Sequence, residues 1–272
     1  VDNQENNSKR GSITGPLGAQ VRMAGEFCPQ RSQQQGSLTV LFVVDYSGSM
    51  TSPPDGPNDP GDSCGRLRAA DALIKKFAGP EYKGYNISFG LVGFSTDASV
   101  KQPLQDIAGI QRSLNAATWC GSDSAVALTN YRAAFETSSQ FLSGVSGKIA
   151  VYFISDGSPT TGGVAGGSPA QSGLDAAIAL RNSKPDQIVL NAVFLGYNST
   201  RATDPKGYLE QVTGDPSRVR LVDTADGLVA AVKSLDPGVL TIEKADVAGS
   251  LVAAGATKDV GIESLVPHKS KT

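Results

Sequence analysis

The feature that most constrains this chain is residues 38–50, Leu-Thr-Val-Leu-Phe-Val-Val-Asp-Tyr-Ser-Gly-Ser-Met, where an apolar, β-favouring run stops on an acid followed by two hydroxyls. A continuous apolar run of this length, bounded by turn residues, predicts a strand covered on both faces, as in a parallel sheet with helices on either side. Ligands of such sheets bind at the carboxyl ends of the strands, where loops gather side chains from several elements. Asp45, Ser47 and Ser49 stand where that rule puts a site. The design recurs at residues 148–157, where Lys-Ile-Ala-Val-Tyr-Phe-Ile-Ser ends on Asp156-Gly157.

Between and beyond these runs the periodicity alternates. Leu67, Ala70, Leu73, Ile74 and Phe77 recur at helical spacing and stop at Gly79-Pro80. Residues 86–95 return to strand character, with a short edge strand around Val100. Ile107, Ile110 and Leu114 predict a short helix, and Leu128, Tyr131, Phe135 and Leu142 a longer one. After the second acid, glycine-rich residues 161–167 lead to a helix with Leu174, Ala177 and Ile178, then a strand at 187–195. A helix at 208–212, a short strand at 218–222 and an amphipathic helix with Leu228, Val232 and Leu235 complete the pattern. Alternating strand and helix predicts an α/β domain with a mostly parallel sheet over residues 37–236. Residues 1–36 read as a polar leader with one edge strand. Residues 237–272 read as a β annex, with short strands at 239–242, 248–253 and 260–265 and no helix between them. The tail is expected to pair with the stretch around Val21, since chain ends often lie close together.

Composition narrows the function classes. With 39% hydrophobic residues in 272, the chain can bury a core of ordinary domain size. A net charge of -2 gives no electrostatic reason to expect nucleic acid or an anionic membrane. No apolar run approaches the roughly 20 residues that cross a bilayer. The chain starts at Val1 rather than Met, so the absence of a signal peptide decides nothing. Abundant Ser, Asn, Gln and Gly, with three cysteines, resemble a protein that is secreted, periplasmic or displayed on a cell surface.

Asp45, Ser47, Ser49, Thr129 and Asp156 offer two carboxylates and three hydroxyls, a donor set suited to a hard divalent cation. Magnesium fits it best, with manganese and calcium as alternatives. Taken singly, Asp45 and Asp156 read as caps of the helices that follow. The lone His268 sits in a polar tail, so no histidine triad or zinc site can be built. Asp55, Asp59 and Asp62 lack the alternate-residue acids of an EF-hand, and four prolines in residues 51–65 fit a solvated loop.

The stretch Asp45-Tyr-Ser-Gly-Ser49, the helix start Thr129-Asn130-Tyr131 and the strand end Ser155-Asp156-Gly157 resemble the three motifs of the von Willebrand factor A (vWA) domain family. That family has a Rossmann-like sheet bearing a metal-ion-dependent adhesion site (MIDAS), and the resemblance covers residues 37–236. It implies that Ser47, Ser49 and Thr129 give hydroxyl oxygens to the ion, with Asp45 and Asp156 acting directly or through water. The loop before Thr129 lacks the glycine pair common in the family, so Ser122, Asp123 or Ser124 is the donor instead if the helix begins earlier. The fold so implied brings Cys64 and Cys120 to one rim, where a disulfide would pin the long 51–65 loop; Cys28 is left over. Trp119 either presents an aromatic surface near the ion or packs under that disulfide.

The function implied is a non-enzymatic binding module of adhesin type, which bridges an ion to an acidic group of a protein or glycan. Loops 51–65, 119–124 and 159–167 would set its specificity. Two rivals remain: an intracellular vWA subunit of an ATPase or chelatase assembly, and a metal-dependent phosphatase-like hydrolase. Haloacid-dehalogenase phosphatases carry a second aspartate two residues after the first, where this chain has Ser47, and no Gly-x-x-x-x-Gly-Lys loop appears.

Overall fold

The computed structural model describes residues 36–50, 65–120, 123, 127–195, 205–222, 225–238, 248–253 and 256–261. The chain divides into two units, Ser32–Thr241, and Val1–Arg31 together with Ile242–Thr272.

In the larger unit the strands are β1 (Ser37–Asp45), β2 (Asn86–Phe94), β3 (Ala98–Gln105), β4 (Lys148–Ser155), β5 (Ile188–Leu195) and β6 (Val219–Val222). The helices are α1 (Gly65–Phe77), α2 (Ile107–Arg112), α3 (Ala116–Trp119), α4 (Tyr131–Leu142), α5 (Pro169–Ser183), α6 (Pro205–Thr213) and α7 (Ala225–Ser234). The six strands form one sheet in the order β3-β2-β1-β4-β5-β6. Every neighbouring pair is parallel except β2 with β3. This is the α/β, Rossmann-like, mostly parallel sheet that the alternation predicts. The chain builds outward from β1 to β2 and β3, then crosses back to place β4 on the other side of β1. The strand order therefore reverses between β1 and β4, and the crevice at their carboxyl ends is where such a sheet presents a site.

β1 is buried on both faces, which explains its unbroken apolar run. Leu38, Val40, Phe42 and Val44 pack into a layer with Ala69, Leu73, Ile74 and Phe77 of α1 and Leu228 and Val232 of α7. Leu41 and Val43 face the opposite layer, with Ala134 and Phe135 of α4 and Leu174, Ala177 and Leu180 of α5. There Phe94 and Phe153 stack at 5.3 Å, and Tyr131 meets Phe153 edge-on at 4.7 Å. The helix starts are set locally. Asn130 accepts a hydrogen bond from the Ala133 N–H at 3.0 Å, and Ser168 accepts one from Gln171 N–H at 3.1 Å ahead of Pro169.

Three expectations need correction, and one left open, the place of Trp119, is decided. Leu128 lies outside α4 and is exposed, because the Asn130 cap starts the helix after it. The stretch around Val100 is a full strand of eight residues, antiparallel to β2 and shifted in register. Trp119 is wholly buried, edge-on to Phe42 at 5.2 Å, and so presents no surface to a ligand. In the smaller unit, β7 (Ala248–Ala253) pairs antiparallel with β8 (Ala256–Gly261), which starts four residues before the strand expected at 260–265. The strand at 239–242, the leader with its edge strand and the pairing near Val21 lie outside the described residues. No helix among the described residues is long and apolar enough to cross a membrane.

Candidate metal centre

Asp45 is the last residue of β1 and Asp156 follows the last residue of β4; both are buried. Beyond Asp45 the chain turns at once through a short 3-10 helix, Gly48–Met50, which folds the two serines back over the acid. The Ser47 N–H donates to Asp45 Oδ1 at 2.7 Å, and the Ser155 hydroxyl donates to Asp45 Oδ2 at 2.6 Å. Both carboxylate oxygens of Asp45 are thus held by neutral donors, one from each strand end. The Ser47 and Ser49 hydroxyls lie 3.1 Å apart, and the Ser49 hydroxyl donates to Asp156 Oδ1 at 2.8 Å. Four of the five candidate donors therefore form one hydrogen-bonded group across the β1–β4 crevice.

Thr129 joins from a third loop. Its backbone is clamped to the loop after β4: its N–H donates to Thr160 Oγ1 at 3.0 Å, and its carbonyl accepts from Thr160 and Thr161 N–H at 2.8 and 3.2 Å. Gly162 makes that approach feasible. Its φ is +90°, and a Cβ there would stand 2.1 Å from Asn130 Oδ1, so no larger residue fits. A Cβ built on Gly157 would lie 3.6 Å from Thr129 Oγ1 and 3.8 Å from Ser49 Oγ, so the two hydroxyls look onto one small space that glycine leaves open. The other candidates before Thr129 are placed differently. Asp123 is drawn to the far side, where it accepts from the Ser95 hydroxyl at 2.6 Å and pairs with Lys101 at 3.2 Å. Ser122 and Ser124 lie outside the described residues.

Electrostatics agrees with this arrangement. Burial, and then the charge of Asp156 beside it, push the Asp45 carboxyl up to about 7, against the opposing hydrogen bonds from Ser155 and Ser47. Two buried acids that repel each other are a place where a cation lowers the free energy. The donors are all oxygens and only two are acids; among the described residues no cluster of three or more His, Cys, Asp or Glu could hold a metal. Two carboxylates, three hydroxyls and a glycine-lined opening fit a hard ion that keeps part of its hydration shell.

Three supporting residues carried no assigned role in the sequence. Ser155, quoted above only as part of a motif, steadies Asp45. Arg66 of α1, itself buried, donates to the Asp45 carbonyl at 2.6 Å and lies over the Tyr46 ring at 5.0 Å. Tyr131, at the start of α4, donates from its hydroxyl to the Gly157 carbonyl at 2.5 Å. A hydroxyl next to an acid at a strand end was the one readable sign for Ser155; nothing local marks Arg66. Cys120 packs against the same apolar layer as Phe42, while Cys64 and Cys28 lie outside the described residues. A cleft of about 710 Å³ between α1 and α7, lined by Arg68, Lys76 and Lys233 among others, contains none of the candidate donors.

Residues 40–158 match the family model of the von Willebrand factor type A domain. The match runs from within β1 to just beyond β4 and so includes all five candidate donors. Solved structures share the fold of the larger unit at low sequence identity. The pilus adhesin SpaC from Lactobacillus rhamnosus GG superposes with a TM-score of 0.55 at 15% identity, over 72% of this chain and 29% of that one. The vWF domain of the type V pili tip protein Mfa5 from Porphyromonas gingivalis gives 0.54 at 11% identity, over 72% of this chain and 93% of that domain. Proximal thread matrix protein 1 from the mussel byssus, in a form with a zinc-occupied MIDAS motif, gives 0.54 at 18% identity, over 73% and 45%. The chain spans less than half the length of the mussel protein and of SpaC. No curated protein matches the sequence.

Proposed function

We propose that residues 37–236 form a type A domain with a working metal-ion-dependent adhesion site, and that the chain is an extracellular binding module rather than an enzyme. The observation that carries this reading is the joining of Asp45, Ser47, Ser49 and Asp156 by hydrogen bonds across the β1–β4 crevice, with the Thr129 hydroxyl facing the same glycine-lined space. Ser47, Ser49 and Thr129 would hold a divalent cation, magnesium by donor chemistry, with Asp45 and Asp156 bonded to it or to its waters. When bound, such an ion supplies an open position for an acidic oxygen of a partner. Ser155 and the Ser47 N–H keep the Asp45 carboxylate oriented. Arg66 fixes the backbone at the end of β1, and the Tyr131 hydroxyl fixes Gly157 beside the opening.

The adhesive role is supported by the structural likeness to a pilus adhesin, a pilus tip protein and a byssus matrix protein, each longer than or different from this chain. An extracellular location would also suit a disulfide between Cys64 and Cys120, which would hold residues 51–65 beside the site. The test is Asp156→Ala. Partner binding should vanish while the circular dichroism spectrum and the cooperativity of unfolding are retained. Unchanged partner binding would rule out the ion bridge.

A further inference from the structure

We propose that Thr160 sets the ion preference of the candidate metal centre: its grip on the Thr129 backbone keeps the third hydroxyl in a cage sized for magnesium and disfavours the larger calcium ion. The inference rests on the metal-site reading above and adds to it the residue that selects the ion.

The five candidate donors are not positioned alike. Ser47, Ser49 and Asp156 hold one another, with 3.1 Å between the two serine hydroxyls and 2.8 Å from Ser49 to Asp156 Oδ1. Asp45 is held by the Ser47 N–H and the Ser155 hydroxyl. The Thr129 hydroxyl has no such neighbour. Thr129 is only 4% exposed, yet its hydroxyl makes no hydrogen bond among the described residues, and it stands beside the space left open at Gly157. Threonine is stiff about its first side-chain bond, so the place of that hydroxyl follows from the Thr129 backbone.

Two loops hold that backbone. From the β2–β3 turn, Thr96 Oγ1 accepts from the Leu128 N–H at 3.0 Å and the Ser95 carbonyl accepts from the Asn130 N–H at 2.8 Å, so these bonds flank Thr129 without touching it. The N–H and carbonyl of Thr129 itself both go to the loop after β4. Thr160 meets them in both directions, accepting through its hydroxyl at 3.0 Å and donating through its N–H at 2.8 Å. Its hydroxyl makes the only side-chain bond on the Thr129 backbone among the described residues, and it lies four positions after Asp156 on the same loop. Adjacent ligands of an octahedral ion stand about 1.4 times the metal–oxygen distance apart, which is about 2.9 Å for magnesium and about 3.3–3.7 Å for calcium. The 3.1 and 2.8 Å spacings of the serine and Asp156 oxygens lie near the first value. Calcium in the same arrangement needs every donor to retreat by about 0.3–0.5 Å. Thr129 can do so only by stretching its bonds to Thr160 and Thr161. Cavity size and donor flexibility decide between the two ions, and Thr160 removes the flexibility.

The test is a calorimetric titration of magnesium and of calcium into the chelator-stripped whole chain, with Thr160→Val and Thr160→Ser beside the wild type. Thr160 is exposed, so valine, which keeps the shape and the N–H but lacks the hydroxyl, leaves the core untouched. The wild type should bind magnesium more tightly than calcium. In Thr160→Val the ratio of the two affinities should move about tenfold toward calcium, as expected when an outer partner of a ligand is lost, and in Thr160→Ser it should stay at the wild-type value. A general loosening of the fold would weaken both ions alike and leave the ratio where it was. An unchanged ratio in Thr160→Val, or the same change in Thr160→Ser, would therefore overturn the inference and leave the metal site standing. So would a wild type that binds calcium as tightly as magnesium, a result that needs no variant. Binding of neither ion to the wild type would overturn the inference and the metal-site reading together.

Discussion

Two sets of buried polar groups lie on strands of the same sheet. At the carboxyl ends of β1 and β4, Asp45, Ser47, Ser49, Ser155 and Asp156 are joined by hydrogen bonds of 2.6 to 3.1 Å. Lower in the sheet, Tyr152 of β4 and Asn191 of β5 are cross-strand partners, both fully buried, and the Tyr152 hydroxyl and both polar atoms of the Asn191 amide make no hydrogen bond among the described residues. A buried polar group left without a partner costs roughly 1–3 kcal/mol. The difference separates two uses of polarity inside one core. The first set links two strand ends into a rigid cluster of oxygens whose leftover repulsion an ion can relieve. The second bonds none of the candidate donors, so any cost it carries falls on the fold alone. Changes in the first should therefore act mainly on binding and on pH dependence, and changes in the second on stability alone.

The largest effect expected is on pH dependence. Asp45 is raised in the folded state to about 7, whereas an unfolded aspartate ionises near its ordinary 3.8. Below the lower value the acid is protonated in both states and costs nothing. As pH rises from about 4 to about 7 the unfolded state loses its proton first, so stability falls, and the full penalty is present above 7. Its size is a few kcal/mol at most, on the order of 1.4 kcal/mol for each pH unit by which the two states differ. Asp215, held below its ordinary range by its bonds to Ser217, has the opposite sign and acts at lower pH. Thermal melts in chelator at pH 5 and pH 8 should therefore show the wild type more stable at pH 5, with the difference reduced in Asp45→Asn. Equal slopes for the two proteins would mean that Asp45 is not the strained acid.

A middle-sized effect is expected from the support of the first set. Ser155→Ala removes the hydroxyl bonded to Asp45 Oδ2 without touching a proposed donor. Magnesium affinity should drop about 10- to 100-fold, as it does when an outer partner of a ligand is lost. An affinity within twofold of the wild type would show that the two strand ends act separately.

The smallest effect belongs to the second set. Asn191→Leu, close to isosteric, should stabilise the domain by about 1–2 kcal/mol in denaturant unfolding and leave magnesium affinity unchanged. A loss of stability would mean that ordered solvent satisfies the amide, and a loss of ion binding would erase the contrast between the two sets.

Much of this arrangement is legible in the sequence, and the limits have physical reasons. The apolar runs of β1 and β4 are unambiguous because both faces of each strand are covered, and an acid closing such a run has few places to go except the sheet's carboxyl edge. Leu128 matches the helical period but lies outside α4, because the Asn130 side chain bonds the Ala133 N–H and the helix starts three residues after it, at Tyr131. Period alone does not locate a cap. Trp119 stands next to a loop cysteine, so its sequence leaves a rim place and a buried one equally open; in the structure its ring packs edge-on to Phe42. β3 was foreshadowed only around Val100, since an edge strand with one solvated face and an irregular register leaves a weak alternation. Arg66 could not be singled out at all, because its partner is a backbone carbonyl twenty-one residues away and carbonyls leave no mark in a sequence.

The central claim is that the oxygens at the ends of β1 and β4 hold a divalent cation. Its most direct test is a calorimetric titration of magnesium, manganese and calcium into chelator-stripped protein, beside the double variant Asp45→Ala, Ser47→Ala. The account predicts saturable binding to the wild type that is lost in the variant. No saturable binding to the wild type, or equal binding to both proteins, would contradict it.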